Sequence, residues 1–163
     1  EMVHSPAAGK SIELAGATLR FSRDHLEVIA PGESRNEDSP KACTLEVPGS
    51  KQWATVTVSA GFCSGHEINF DDGAEYFDAS CIATPIHVRS YKPGERLARF
   101  GGGTKRISRL MIDAGVPRHL RPMIAVVTDN DDVILWVEHA GRSQIAPVSS
   151  GVPRALRLVI HTL

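Results

Sequence analysis

The 163-residue sequence is poor in cysteine, poor in aromatic side chains and free of long apolar runs. Its three cysteines, Cys43, Cys63 and Cys81, are odd in number and lack the close paired spacing of a zinc knuckle. Neither a disulfide framework nor a metal site is indicated, and buried free thiols are expected. No stretch approaches the ~20 apolar residues that span a bilayer. The opening EMVHSPAAGK has neither the basic nor the apolar region of a secretory signal. A cytoplasmic chain with no membrane partner is therefore expected. Walker-type and dinucleotide-type glycine loops, the zinc-protease helix motif, a nucleophile elbow and internal repeats are all missing, so no catalytic residue, metal or cofactor is expected in this chain. The remaining composition, 42% hydrophobic and 23% charged, is that of an ordinary globular protein.

The formal net charge of −1 conceals a segregated distribution. Residues 89–121 hold Arg89, Lys92, Arg96, Arg99, Lys105, Arg106, Arg109, Arg118 and Arg121 against only Glu95 and Asp113. Residues 1–88 are acidic, with thirteen Asp/Glu against six Lys/Arg. A basic patch concentrates polyanions, and nucleic acid is the commonest large one in a cell. Tyr91 and Phe100 are the only aromatics in this stretch. Single-strand stacking is thus disfavoured relative to contact with a duplex backbone.

Short apolar runs at Ile12–Leu14, Ala17–Phe21, Leu26–Ile29, Cys43–Val47 and Thr55–Val58, broken by Gly, Pro, Asp and Asn, predict strands. Residues 1–10 read as a tether and the polar 31–41 as a loop. Two further runs flank Thr84-Pro85, where the proline marks an edge or a strand start. Ala125–Thr128 and Val133–Val137 around Asp129-Asn130-Asp131-Asp132 predict a hairpin, and Ala155–His161 a final alternating strand. One helix is expected over Thr104–Ala114, where Ile107, Leu110, Met111 and Ala114 form a stripe, with Thr104 as N-cap, Gly115 beyond its end and Pro117 opening a short turn. The result is an α+β, strand-rich domain over 11–163, strand-rich in 11–88 with the basic segment and hairpin in 89–163.

Gly101, Gly102 and Gly103, placed directly before the expected helix, form either an anion cradle at its N-terminus or a flexible strand-to-helix turn. His66, Glu67, Asp71, Asp72, Glu75, Asp78 and His87 are the acid–base candidates, although FDDGAEYFD has the form of a turn followed by a strand. They leave a small hydrolase open as a reading. A free-standing nucleic-acid or protein interaction module is open as well.

The stretch VRSYKPGERLARFGGGTKRISRLMIDAGVPRHLRPMIAVVTDNDDVILWV, residues 88–137, resembles the C-terminal domain of the bacterial tRNA(Ile)-lysidine synthetase family. EYFDAS and the strands between Leu14 and Val28 resemble what precedes it. The family fold implied is a β-sandwich-like α+β domain similar to one in phenylalanyl-tRNA synthetase. The activity implied is a ligase that uses ATP, Mg²⁺ and lysine to turn the wobble cytidine of an isoleucine tRNA into lysidine. The resemblance assigns catalysis and the nucleotide to an N-terminal ATP-pyrophosphatase domain whose Ser-Gly-Gly-x-Asp-Ser loop does not occur here. It leaves this chain a tRNA-docking role, with that domain and tRNA as partners; a homodimer stays open. All nine basic residues are carried over as tRNA contacts, with Lys105, Arg106 and Arg109 foremost, Arg96 held by a local carboxylate and Arg121 under the hairpin. Met123-Ile124-Ala125 departs from the apolar-Pro pattern expected before the hairpin.

Overall fold

The structure, a computed structural model, describes residues 11–14, 17–21, 26–29 and 39–162, with side chains from 39 onward. The expected tether, and most of the expected 31–41 loop, lie outside the described residues. The chain divides into two units, Glu1–Asp38 and Ser39–Leu163. In the first, β1 (Ser11–Leu14), β2 (Ala17–Phe21) and β3 (Leu26–Ile29) form an antiparallel meander in which Ser11 pairs with Arg20 and Phe21 with Leu26.

The second unit holds β4 (Cys43–Leu45), β5 (Gly49–Trp53), β6 (Val56–Ser64), β7 (Glu75–Asp78), β8 (Ile86–Arg89), β9 (Arg96–Ala98), β10 (Thr104–Arg106), α1 (Ile107–Asp113), β11 (Val126–Thr128), β12 (Ile134–Val137), β13 (Gly141–Arg142) and β14 (Arg154–Thr162). A five-stranded sheet runs β13-β12-β11-β8-β4, a four-stranded sheet β5-β6-β14-β7, and β9 and β10 make a separate two-stranded ribbon. Among the described residues no helix is long and apolar enough to cross a membrane.

Strand alternation builds three apolar layers. On β14, Leu156 and Leu158 face the main core, while Ala155 and Val159 face a smaller cluster with Ala74 and Tyr76. The main core also takes Val56 and Val58 from the four-stranded sheet, and Ile86, Val88, Val127 and Leu135 from the five-stranded one. That shared burial makes a sandwich. On the outer face of the five-stranded sheet, Val126 and Val137 pack with Leu97 of the ribbon and with Ile107, Leu110 and Met111 of α1.

A bulge adjusts this second face. Thr128 pairs with Ile134 but Val127 with Trp136, so Leu135 is the extra residue. Leu135 and Trp136 consequently both meet the main core, while Ile134 and Val137 meet the α1 cluster. The hairpin turn is organised by buried Asp129, whose carboxylate accepts from the amides of Asp131 at 3.0 Å and Val133 at 2.9 Å.

The expected helix is shorter than the sequence suggested. Thr104 to Arg106 pair with Arg96 to Ala98 as strand, and α1 starts at Ile107 with Arg106 at its N-cap, which makes no side-chain cap bond. Ile107, Leu110 and Met111 are buried as the periodicity required, whereas Ala114 is exposed at the C-cap. The pairing partner for 104–106 lies within easy reach through the glycine loop, and cross-strand bonding outcompetes one more helical turn. Gly115, at φ 72°, ends the helix, and Pro117 precedes a 3-10 turn over Arg118–Met123. The thiols are free but not buried: Cys43 and Cys63 are half-buried and Cys81, in the surface turn Ala79–Cys81, is exposed.

Candidate nucleic-acid interface

The nine basic residues divide by what their charges meet. Arg89 pairs across from Val126, which turns its side chain toward the α1 side of the sheet, where it is 8% exposed. Its guanidinium donates to Glu95 at 2.7 and 3.1 Å and to Asp132 at 2.9 Å. Burial opposes its charge, but these two carboxylates more than restore it and raise its pKa. Lys92 bonds the second oxygen of Asp132. The hydrogen bond from Lys92, with Arg89 beside it, holds the Asp132 carboxyl below its usual range. Asp132 reaches both cations from the hairpin turn, at φ 62°.

Lys105 and Arg109 share Asp113, at 3.6 and 3.0 Å. Arg96, Arg99, Arg106, Arg118 and Arg121 have no carboxylate within salt-bridge distance among the described residues. The expectation that Arg96 is held by a carboxylate is not met among the described residues: Glu95, its chain neighbour, serves Arg89, and Arg96 reaches the Thr104 carbonyl at 3.4 Å. Arg121 is tethered through Nε to the Val116 carbonyl at 3.1 Å. Arg118 and Arg121 belong to the 3-10 turn, apart from the ribbon.

Arg96 and Arg106 stand directly opposite each other on β9 and β10, both exposed. Like charges at facing positions destabilise a strand pair. Among the described residues no carboxylate relieves that cost, which is the arrangement an external polyanion would neutralise.

The glycines do not lie directly before the helix as the sequence suggested, because β10 intervenes. They form the ribbon's tip, where Gly101 adopts φ 68° and the Gly102 amide donates to the Arg99 carbonyl at 3.2 Å. Gly102 closes over Arg99: a Cβ there would lie 3.0 Å from a terminal guanidinium nitrogen. Arg99 Nε is buried with no hydrogen-bond partner among the described residues.

The acid–base candidates are dispersed into structural roles. Asp72 accepts from the Tyr76 hydroxyl at 2.8 Å and the Ala74 amide at 2.9 Å, and pairs with Arg157 at 2.9 Å. These bonds, the Tyr76 one foremost, lower its pKa. Asp78 accepts from the Ser80 hydroxyl and amide, which lowers its pKa likewise. Glu67 and His66 both bond Ser64, and His87 lies near Thr44 and Asn130. Among the described residues no group of three His, Cys, Asp or Glu could hold a metal ion. Asp71-Asp72-Gly73 is the turn the sequence indicated, with β7 after it.

Sequence reasoning missed Asp132 as the clamp on Arg89 and Lys92, since a turn-forming Asp-rich run hides which carboxylate points inward. It also missed Phe70 and Arg142, which the fold brings beside Phe100 and Arg99 around an open cavity. No local pattern marks either residue.

Residues 86–158 match the family described as the TilS substrate C-terminal domain. The chain is similar to tRNA(Ile)-lysidine synthases of Symbiobacterium thermophilum (26% identical over 94% of this chain and 32% of the relative) and Oceanobacillus iheyensis (39% over 72% and 22%). That of Shouchella clausii is 38% identical over 47% of this chain and 16% of its own length. The chain thus spans a third or less of these curated relatives. A solved structure titled "Crystal structure of TILS C-terminal domain" superposes with a TM-score of 0.65 at 26% identity, over 76% of this chain and 98% of that one. The fold over 76% of this chain is accordingly that of a known TilS C-terminal domain, and residues 86–158 carry the match to the TilS substrate C-terminal domain family.

Proposed function

We propose that this chain is the tRNA-docking domain of a tRNA(Ile)-lysidine synthetase, a cytoplasmic ligase that uses ATP, Mg²⁺ and lysine to convert the wobble cytidine of an isoleucine tRNA to lysidine. In this reading, adenylation of the cytidine and attack by the lysine amine occur in an N-terminal catalytic domain outside this chain. The domain here contributes grip and placement.

The observation that carries the reading is the unrelieved opposition of Arg96 and Arg106 on an exposed ribbon, in a family whose curated members act under the name tRNA(Ile)-lysidine synthase. A-form stems offer regularly spaced phosphates and a shallow groove, and proteins grip them chiefly by backbone and shape. The sandwich supplies a fixed base for this grip, because Leu97, between the two strand arginines and the tip, is buried against α1. Arg96, Arg99, Arg106, Arg118 and Arg121 would contact phosphate first. Lys105 and Arg109 would have to share their charge with Asp113, and Arg89 and Lys92 are committed to the fold.

Five phosphate contacts predict that log affinity for tRNA falls with log salt at a slope of roughly −4, from ~0.7 to 0.9 per contact. Binding of this chain to a minor isoleucine tRNA and to an unrelated elongator tRNA across a salt series measures it. A flat response would sink the docking role; a preference for the isoleucine tRNA would make the domain discriminating as well.

A further inference from the structure

Phe70, Glu75, Arg99, Phe100, Arg142 and Val148 come from separate parts of the chain and line an open cavity of about 550 Å³. Two of them are the most exposed large hydrophobic side chains among the described residues, Phe70 at 71% and Phe100 at 58%. Neither is a loose tip. Phe100 lies against the Arg142 guanidinium, 4.8 Å from the ring centroid, and Arg142 in turn lies over buried Phe77 at 4.2 Å. Arg142 is fixed by the carbonyls of Tyr76, Ser143 and Ile145. Phe70 sits edge-on to buried Tyr76 at 5.8 Å. Two rings anchored to the core thus present themselves to water, forgoing the burial that aromatic side chains ordinarily gain.

Arg99 lines the same cavity, and among the described residues it forms no salt bridge and its Nε is buried without a hydrogen-bond partner. The cavity holds two arginines against one carboxylate, Glu75, which stands 3.9 Å from Arg142. A positive balance remains at Arg99. An apolar peptide would cover the rings but leave that guanidinium unsatisfied, and a simple anion would leave the rings exposed. A nucleotide uses both, through a π-face and a phosphate.

The cavity also continues the ribbon, since Arg99 directly follows β9 and its facing pair Arg96–Arg106. We propose that the cavity receives an unpaired nucleotide at the end of the bound stem, its base stacked on Phe100 beside Phe70 and its phosphate on Arg99. The inference rests on the docking role above and adds a single-stranded ligand to it. The ribbon holds the duplex, and the cavity reads where the duplex stops.

The test compares two RNA hairpins with the same stem, one blunt and one with a short 3′ overhang, by fluorescence anisotropy with the full chain. The overhang should tighten binding about tenfold, the usual worth of one stacked base. Phe100→Ala and, separately, Phe70→Ala should erase that gain while leaving blunt-hairpin affinity unchanged, and Phe100→Tyr should keep it. Equal affinity of the wild-type chain for both hairpins overturns the inference while leaving the docking role standing. So does a gain that survives both alanine variants with native melting. If Phe100→Ala fails to fold, exposed Phe70→Ala alone decides. Failure to bind either hairpin overturns the docking role, and the inference with it.

Discussion

Arg89 and Arg106 carry the same group and lie in the same basic segment, yet one is part of the core's rim and the other faces water. Arg89 sits on the α1-facing side of a central strand, is nearly buried, and meets two carboxylates brought from the 92–95 turn and the hairpin. Arg106 ends an exposed two-stranded ribbon and faces another arginine. Charge that is compensated holds the fold together, and charge left uncompensated is available to a ligand. Composition alone cannot separate the two kinds of charge in the basic segment.

The largest expected effect breaks the compensated side. Arg89→Ala leaves Glu95 and Asp132 facing each other with one cation fewer, and removing one member of a buried pair costs about 3 kcal/mol. Urea denaturation should show that loss while the remaining folded protein still binds tRNA. Loss of binding without loss of stability would put Arg89 in the interface instead.

A smaller effect sharpens the uncompensated side. Reversing both Arg96→Glu and Arg106→Glu should weaken tRNA binding at least tenfold, with a flattened salt dependence and a native thermal transition. Arg106→Glu alone should also weaken binding, yet stabilise the chain by about 0.5 kcal/mol, because a carboxylate would then face Arg96 across the ribbon. A destabilised single variant would show that the two arginines do not repel.

The smallest effect is acid sensitivity. Asp132 has its folded pKa depressed by Lys92 and Arg89, so its contribution is complete above the unfolded value of about 3.9 and fades as pH falls through the folded value. Thermal melts should therefore drop below about pH 4, and Asp132→Asn should reduce that drop. Because the Asp132 side chain is half exposed, solvent screening keeps the effect modest.

Several strands were legible from their apolar runs. Ala17–Phe21 and Leu26–Ile29 fall where those runs placed them, and β14, with Leu156 and Leu158 buried on one face, alternates as the sequence indicated. The ribbon was not legible. Thr104-Lys105-Arg106 has no buried residue to set a period of two, and the helical stripe beginning at Ile107 invited an extension backwards. The same reason hid β5, whose only buried residue is Trp53. At the site, the sequence located the basic residues but could not divide them, because Asp132 and Asp113 act through space.

The amino-acid order alone determined that positive charge would collect in residues 89–121, that most strands would alternate, and that glycine and proline would punctuate them. These are local consequences of side-chain period and backbone freedom. Which arginines are spent on the fold, which face each other, and how Phe70 and Arg142 reach Phe100 were decided only when distant strands paired. Neutralisation and stacking depend on distances of a few ångströms, and only the tertiary structure sets those.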